Sequence, residues 1–240
     1  MSKGIYIIGT DTGVGKTVVS AGLMCLLLAQ RYKSAYFKPV ASGAVVMNGI
    51  AEATDAVFVQ KASGFVEKSE WITPFVFKNP VSPHLAARLE QVPVDIDIIK
   101  SRLQYLKESY EWIIAEGAGG LAVPLNDEGY MQYDLIRELG FPCLLVARAG
   151  LGTINHTVLT VQAARAAGLK IKGIMINGYT GSLPERDNVE TIIRLAGIPY
   201  ITNLPVIAGM DTDRGQTGNL REIFEKSIVI DDIMDLMETM

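Results

Sequence analysis

The sequence predicts an α/β fold: one domain over residues 1–240, with a mostly parallel, doubly wound sheet and helices on both of its faces. Three observations predict it. Short apolar runs that are nearly continuous, rather than alternating, read as strands covered on both sides. Helix-like stretches separate them, and such alternation calls for a parallel sheet with right-handed crossovers. Each run ends in a turn rich in glycine or small residues, and the chain carries no internal repeat, low-complexity tract or linker.

In chain order the strands are "GIYIIGT", "SAYFKPV", "EWIIAEG", "FPCLLVAR", "KIKGIMIN" and "PYITNL". The helices between them span Lys16–Tyr32, Asp95–Glu108, Tyr130–Leu139, Asn155–Ala167 and Pro184–Leu195. Gly140, Gly168 and Gly197 stand where helices end, as C-cap glycines do. Pro142 and Pro199 follow, each opening the next strand. "LMCLLLA" reads as a buried helix face, and "SIVIDDIMDLMETM", apolar on one side at helical spacing, as a packed terminal helix.

Composition narrows the function classes. With 49% hydrophobic residues the chain can build a large core, and a net charge of −4 carries no nucleic-acid footprint. No apolar run approaches the ~20 residues that span a bilayer. The opening "MSKGIYIIG" lacks the layout of a secretory signal, so a cytoplasmic location is expected. Cys25 and Cys143 lie in apolar runs and read as core thiols, which suits a reducing compartment. His84 and His156 have no second histidine or cysteine at metal-ligand spacing.

A doubly wound sheet places its ligand beyond the carboxyl ends of its strands. The turns there are "GTDTGVGKT", "KPVASG", "EGAGG", "ARAGLGTINH", "NGYTG" and "LPVIAG", and together they mark one large polar site. The first is one residue longer than the strict phosphate-loop pattern Gly-x-x-x-x-Gly-Lys-Ser/Thr. Lys16 can still reach terminal phosphates, and Thr17 can offer a hydroxyl to Mg2+. A loop of this kind makes the sheet P-loop NTPase-like. Glu116, at the end of a buried strand, needs a cation or donors nearby and suits metal support. On spacing alone Lys38 reads as a solvated strand end, although Ser42 and Gly43 leave a small polar loop beside it. Asp55 on the same ground is a solvated acid on a helix. "LGTIN" can present successive backbone N–H groups to a carboxylate.

With these turns in view, the chain resembles the dethiobiotin synthetase family. "GTDTGVGKT" carries the resemblance most specifically, with its lengthened Gly-Thr-Asp-Thr-x-Val-Gly-Lys-Thr loop. "KPVASG", "SPH", "EGAGG", "GTINH", "IN" and "LP" extend it over most of the chain, with a weak match from about Tyr179 onward. The resemblance implies an ATP-dependent ligase of biotin biosynthesis, a homodimer acting on 7,8-diaminopelargonate and CO2, with ATP as co-substrate and Mg2+ as metal. It implies that Gly13, Val14, Gly15, Lys16, Thr17 and Val18, with Glu116, Gly117, Ala118 and Gly119, hold the nucleotide. Thr17, Asp55 and Glu116 would hold Mg2+. Lys16 and Lys38 would be catalytic, and Thr12, Lys38 and Ser42 would meet the diamine or its carbamate. Gly152, Thr153, Ile154 and Asn155 of the other subunit would bind the substrate carboxylate, while Asn177 and Pro205 would hold adenine. The resemblance thus reverses the reading of Lys38 and Asp55 that spacing alone supports.

Two other classes share this fold. An amidoligase of the cobyrinate diamide synthase type carries an additional glutaminase domain, for which 240 residues leave no room. A switch ATPase that positions septa or chromosomes has a signature lysine where this chain has Asp11.

Overall fold

Lys3–Gly9 is buried on both sides from Gly4 onward, so apolar neighbours must cover both faces of this strand. The computed structural model describes residues 1–47 and 49–240 and supplies that cover. The main sheet runs in the order Tyr200–Pro205, Ile171–Tyr179, Cys143–Arg148, Lys3–Gly9, Trp112–Glu116, Ser34–Phe37, all parallel. From Lys3–Gly9 the chain goes first to the edge strand Ser34–Phe37, returns through Trp112–Glu116, then crosses to Cys143–Arg148 on the other side. That reversal creates a switch point beside the carboxyl end of Lys3–Gly9, where such sheets bind ligands.

The predicted helices form at Lys16–Ala29, Ile96–Ser109, Gln132–Leu139, Thr153–Ala166 and Leu183–Ala196. Gly140 and Gly197 end two of them with φ of 77° and 60°, the left-handed conformation that glycine adopts without strain. Both cysteines are buried and unbridged, as expected of core thiols. Lys16–Ala29 is apolar nearly all round and is buried along most of its length, packing on the sheet and on the helices Thr54–Ser63 and Leu220–Ser227.

The terminal stretch departs from the expected single helix. Ile230–Leu236 is helical, but Glu238–Thr239 turns into a short strand antiparallel to Lys3–Gly4. The reason is an unfilled ladder. Cys143–Arg148 pairs with the central strand only from Tyr6 onward, which leaves backbone groups at Lys3 and Gly4 for the chain end to satisfy. The helix carrying Asp55 runs over Thr54–Ser63; helices Pro83–Glu90 and Leu220–Ser227 were not predicted, nor was the small parallel pair of Val40–Ser42 with Phe75–Phe77.

Gly22 allows the ring of Phe224 to lie against the Lys16–Ala29 helix, and a Cβ there would collide with it. Gly22→Ala gains up to about 1 kcal/mol of helix propensity, yet overpacking of a tight core costs about 1–3 kcal/mol. The variant is therefore expected to melt below the parent, measured by thermal and urea unfolding.

Candidate active site

The loop after Lys3–Gly9 turns into the helix at Lys16 through Gly15, whose φ is 101°. Only glycine suits this position, because a Cβ would also run into the side-chain amide of Asn177. Asn177 in turn donates from Nδ2 to the Val14 carbonyl at 3.0 Å and holds the loop to the strand Ile171–Tyr179. No side chain among the described residues caps the Lys16–Ala29 helix, so its first N–H groups stay free for an anion.

Beneath the loop four elements meet at one point. Glu116 ends the strand Trp112–Glu116 and is wholly buried. Lys38 follows the strand Ser34–Phe37, is 3% exposed, and donates from Nζ to Glu116 Oε1 at 2.9 Å and to Asp55 Oδ2 at 2.6 Å. Asp55 sits in the first turn of Thr54–Ser63, a favourable place for a carboxylate. Thr17 Oγ1 lies 2.7 Å from Asp55 Oδ1 and 2.8 Å from Glu116 Oε1. Tyr36 donates its hydroxyl to Glu116 Oε2 at 2.9 Å.

The two lysines are tuned in opposite directions. Burial would lower Lys38, but the two carboxylates outweigh it and hold the ammonium above the ordinary lysine range. Burial would raise Asp55, and the Lys38 ammonium instead keeps its carboxyl below the usual range. Among the described residues Lys16 has no carboxylate in contact; its Nζ donates to the Asp11 carbonyl at 3.1 Å. Burial, then repulsion from Lys38, push its pKa down to about 8.

The donor set fits Mg2+. A threonine hydroxyl carries one proton, yet Thr17 stands within hydrogen-bond reach of two carboxylates. One of those contacts sets oxygen against oxygen, which a hard cation would relieve. Among the described residues no group of three or more His, Cys, Asp and Glu side chains converges. Two carboxylates and a hydroxyl suit Mg2+, which keeps waters and phosphate oxygens as its other ligands.

A cavity of about 730 Å3 opens over this point. Its wall includes Thr12, Gly13, Gly15, Lys16, Thr17 and Val18 from the loop and helix, and Lys38, Ser42, Asp55, Glu116, Ala118, Gly119 and Asn177 from elsewhere. Val14 and Gly117 are buried and do not line it. Gly152, Thr153, Ile154 and Asn155 stand outside it, at the start of Thr153–Ala166, and so does Pro205 at the end of its strand. Thr153 is buried, whereas Gly152 and Asn155 are exposed.

Several residues of the site escaped sequence reasoning. Met210, Thr212 and Asp213 line the cavity from within the weakly matching region, and Pro80 and Val81 close another side. Gln132 is 2% exposed and clamps the glycine turn, accepting from the Ala118 N–H at 2.6 Å and donating to the Gly120 carbonyl at 2.8 Å. Nothing in its local sequence signals this, because its partners belong to the preceding turn. Asp11 pairs with Arg148 at 3.2 Å on the exposed rim.

The loop, the free helix start and the switch-point cavity define a P-loop-type nucleotide-binding protein. The AAA domain family matches residues 3–214. Solved structures share the fold: MinD cell division protein of Aquifex aeolicus superposes with a TM-score of 0.62 at 12% identity, covering 100% of this chain and 98% of that one. The septum site-determining protein MinD of Pyrococcus horikoshii, complexed with Mg-ADP, gives 0.60 at 17% identity over 94% of each chain. Sequence relatives are more specific. The ATP-dependent dethiobiotin synthetase BioD of Clostridium kluyveri is 44% identical over 99% of both chains. Those of Clostridium novyi and Caldicellulosiruptor saccharolyticus are 42% identical over 94% of both chains and 41% identical over 93% of both. The chain belongs to the dethiobiotin synthetase family of ATP-dependent ligases.

Lys16 yields a pH prediction. Its folded pKa of about 8 lies below that of the unfolded chain, so more protons are bound in the unfolded state above pH 8. Its burial therefore costs most stability below pH 8, and the cost fades as pH rises toward the ordinary lysine value of about 10.4. Urea midpoints should show Lys16→Met more stable than the parent at pH 7, with the gap narrowing by pH 10.

Proposed function

We propose that this chain makes dethiobiotin from 7,8-diaminopelargonate, CO2 and ATP. The observation that carries the reading is the convergence of Lys16, Lys38, Thr17, Asp55 and Glu116 on one cavity. The family membership directs it to this reaction.

In the proposed sequence one substrate amine adds to CO2 and loses a proton, giving a carbamate. A carbamate oxygen attacks the γ-phosphorus of ATP and ADP departs, leaving a carbamic-phosphoric anhydride. The second amine then attacks the carbonyl carbon, the ring closes, and phosphate leaves. Once the carbamate has formed, every reacting group except the second amine is anionic, so the protein's task is to gather negative charge and hold the carbamate in line with phosphorus.

The backbone N–H groups of Gly13 to Val18 cradle the phosphates at the positive end of their helix. Lys16, with no carboxylate of its own, regains its full charge beside phosphate. Lys38 neutralises charge developing on the γ-phosphoryl group and carbamate. Mg2+, when bound, would be held by Thr17, Asp55 and Glu116 and would neutralise the β- and γ-phosphates. Thr12 and Ser42, both on the cavity wall, meet the diamine or its carbamate. Adenine is assigned to the side lined by Asn177, Met210, Thr212 and Asp213, with Pro205 leading into that segment. Gly152 to Asn155 lie away from the cavity, which supports their use by a second copy: a homodimer in which this helix start receives the substrate carboxylate. No helix among the described residues is long and apolar enough to cross a membrane, and we assign the enzyme to the cytoplasm.

The test is ADP release from Mg-ATP with diaminopelargonate and bicarbonate supplied separately and together. Release that requires both, with dethiobiotin detected by mass spectrometry, supports the assignment; release indifferent to both sinks it. Lys38→Gln keeps a hydrogen-bond donor to the carboxylates but removes the charge. It is expected to lower kcat by about 10²–10³, as loss of a transition-state contact does, while its melting curve shows that it folds.

A further inference from the structure

The two oxygens of Glu116 face different surroundings. Oε1 faces Thr17 and Lys38 at 2.8 and 2.9 Å. Oε2 is turned into the protein, where the Tyr36 hydroxyl donates to it at 2.9 Å. The sheet sets this contact. Tyr36 stands opposite Ile114 on the neighbouring parallel strand, so Ile114, Glu116 and Tyr36 share one face. Lys38, two residues after Tyr36, continues on that face toward the rim. One strand end therefore grips the carboxylate at both oxygens, with a hydroxyl from below and an ammonium from above.

Tyr36 is 0% exposed, and "SAYF" reads as ordinary core. A buried phenol needs a partner for its hydroxyl, and here the partner is the acid assigned to metal support. The phenol has one proton to give, and its geometry directs that proton to Oε2. Without it, Oε2 would be a buried carboxylate oxygen with no donor among the described residues. The carboxylate could then turn both oxygens toward Lys38 and Thr17, withdrawing Oε1 from its present aim.

We propose that Tyr36 is a positioning residue for the metal-supporting carboxylate: its hydroxyl anchors Oε2 of Glu116 and so aims Oε1 at the point shared by Thr17 and Asp55. The inference rests on the reading of Glu116 as Mg2+ support. Groups that orient a metal-binding side chain typically contribute about 10–100-fold to metal affinity.

The experiment uses Mn2+ as a spectroscopic substitute for Mg2+. Free Mn2+ is titrated by electron paramagnetic resonance against the full chain with saturating ADP. The proteins are the parent, Tyr36→Phe, Glu116→Gln and the double variant. Tyr36→Phe keeps the ring and its packing and so tests the hydroxyl alone; metal-free ADP affinity within twofold of the parent checks that the loop is intact. The expected result is Mn2+ binding weakened about tenfold by Tyr36→Phe, and little further weakening when Glu116 is already Gln. If Glu116→Gln weakens Mn2+ binding but Tyr36→Phe does not, the role of Tyr36 is overturned and the metal reading stands. Equal effects of Tyr36→Phe in both backgrounds overturn it as well, since the residue would then act elsewhere. If Glu116→Gln itself leaves Mn2+ affinity unchanged, the metal reading falls, and the proposed role of Tyr36 with it. Should Glu116→Gln not fold, Glu116→Asp, which draws the carboxylate back from Tyr36, replaces it in the same cycle.

Discussion

A carboxylate with no exposure at the end of a central strand constrains everything around it. Removing one partner of a buried ion pair costs about 3–5 kcal/mol, so Glu116 can exist there only with donors fixed in place. The donors come from two parts of the chain: Thr17 from the first turn of a helix, Lys38 and Tyr36 from the edge strand and its end. Asp55 joins through Lys38 and Thr17 and draws in a second helix. The same contacts that make Glu116 tolerable lock the phosphate loop, the edge strand and the Thr54–Ser63 helix to one point.

The charge pattern explains why the site suits anions. Lys38 is matched by two carboxylates, so it is a strongly held cation. Lys16 is buried beside Lys38 and, among the described residues, donates only to the Asp11 backbone carbonyl, so its charge is correspondingly weakened. A phosphate group arriving at the loop meets free helix N–H groups and a lysine whose charge has been waiting for a counter-ion. The order of burial thus separates two lysines that look alike in sequence: one belongs to the architecture as much as to the reaction, the other chiefly to the nucleotide.

Fold alone does not separate this chain from the septum-positioning ATPases, which superpose on it at under a fifth of identical residues. One scaffold supports several activities, and the distinction lies in particular side chains. At the loop, Asp11 leans outward to Arg148 on the neighbouring strand end. The dethiobiotin synthetase relatives, at 37–44% identity, supply the family that superposition cannot.

Periodicity and turn chemistry suffice for the six parallel strands and five of the helices, because each of those signals is local. Continuous apolar runs mean two-sided burial wherever they occur, and a glycine at positive φ ends a helix without reference to anything distant. The loop "GTDTGVGKT" is legible for the same reason, since its function lies in its own backbone. Long-range contacts are not legible in this way. Spacing alone made Lys38 and Asp55 solvated groups; the tertiary structure sets them 2.6 Å apart, because packing of the Thr54–Ser63 helix on Lys16–Ala29 carries Asp55 to the strand end. Tyr36 and Glu116 are 80 residues apart in sequence, and Gln132 reaches back to a turn formed earlier in the chain. The terminal strand likewise exists only because Lys3 and Gly4 have ladder groups to satisfy. The sequence by itself determined the sheet and the phosphate loop, whose causes are local. Only the tertiary structure decided which buried polar groups meet, because a polar side chain shows its role only when its partner is beside it.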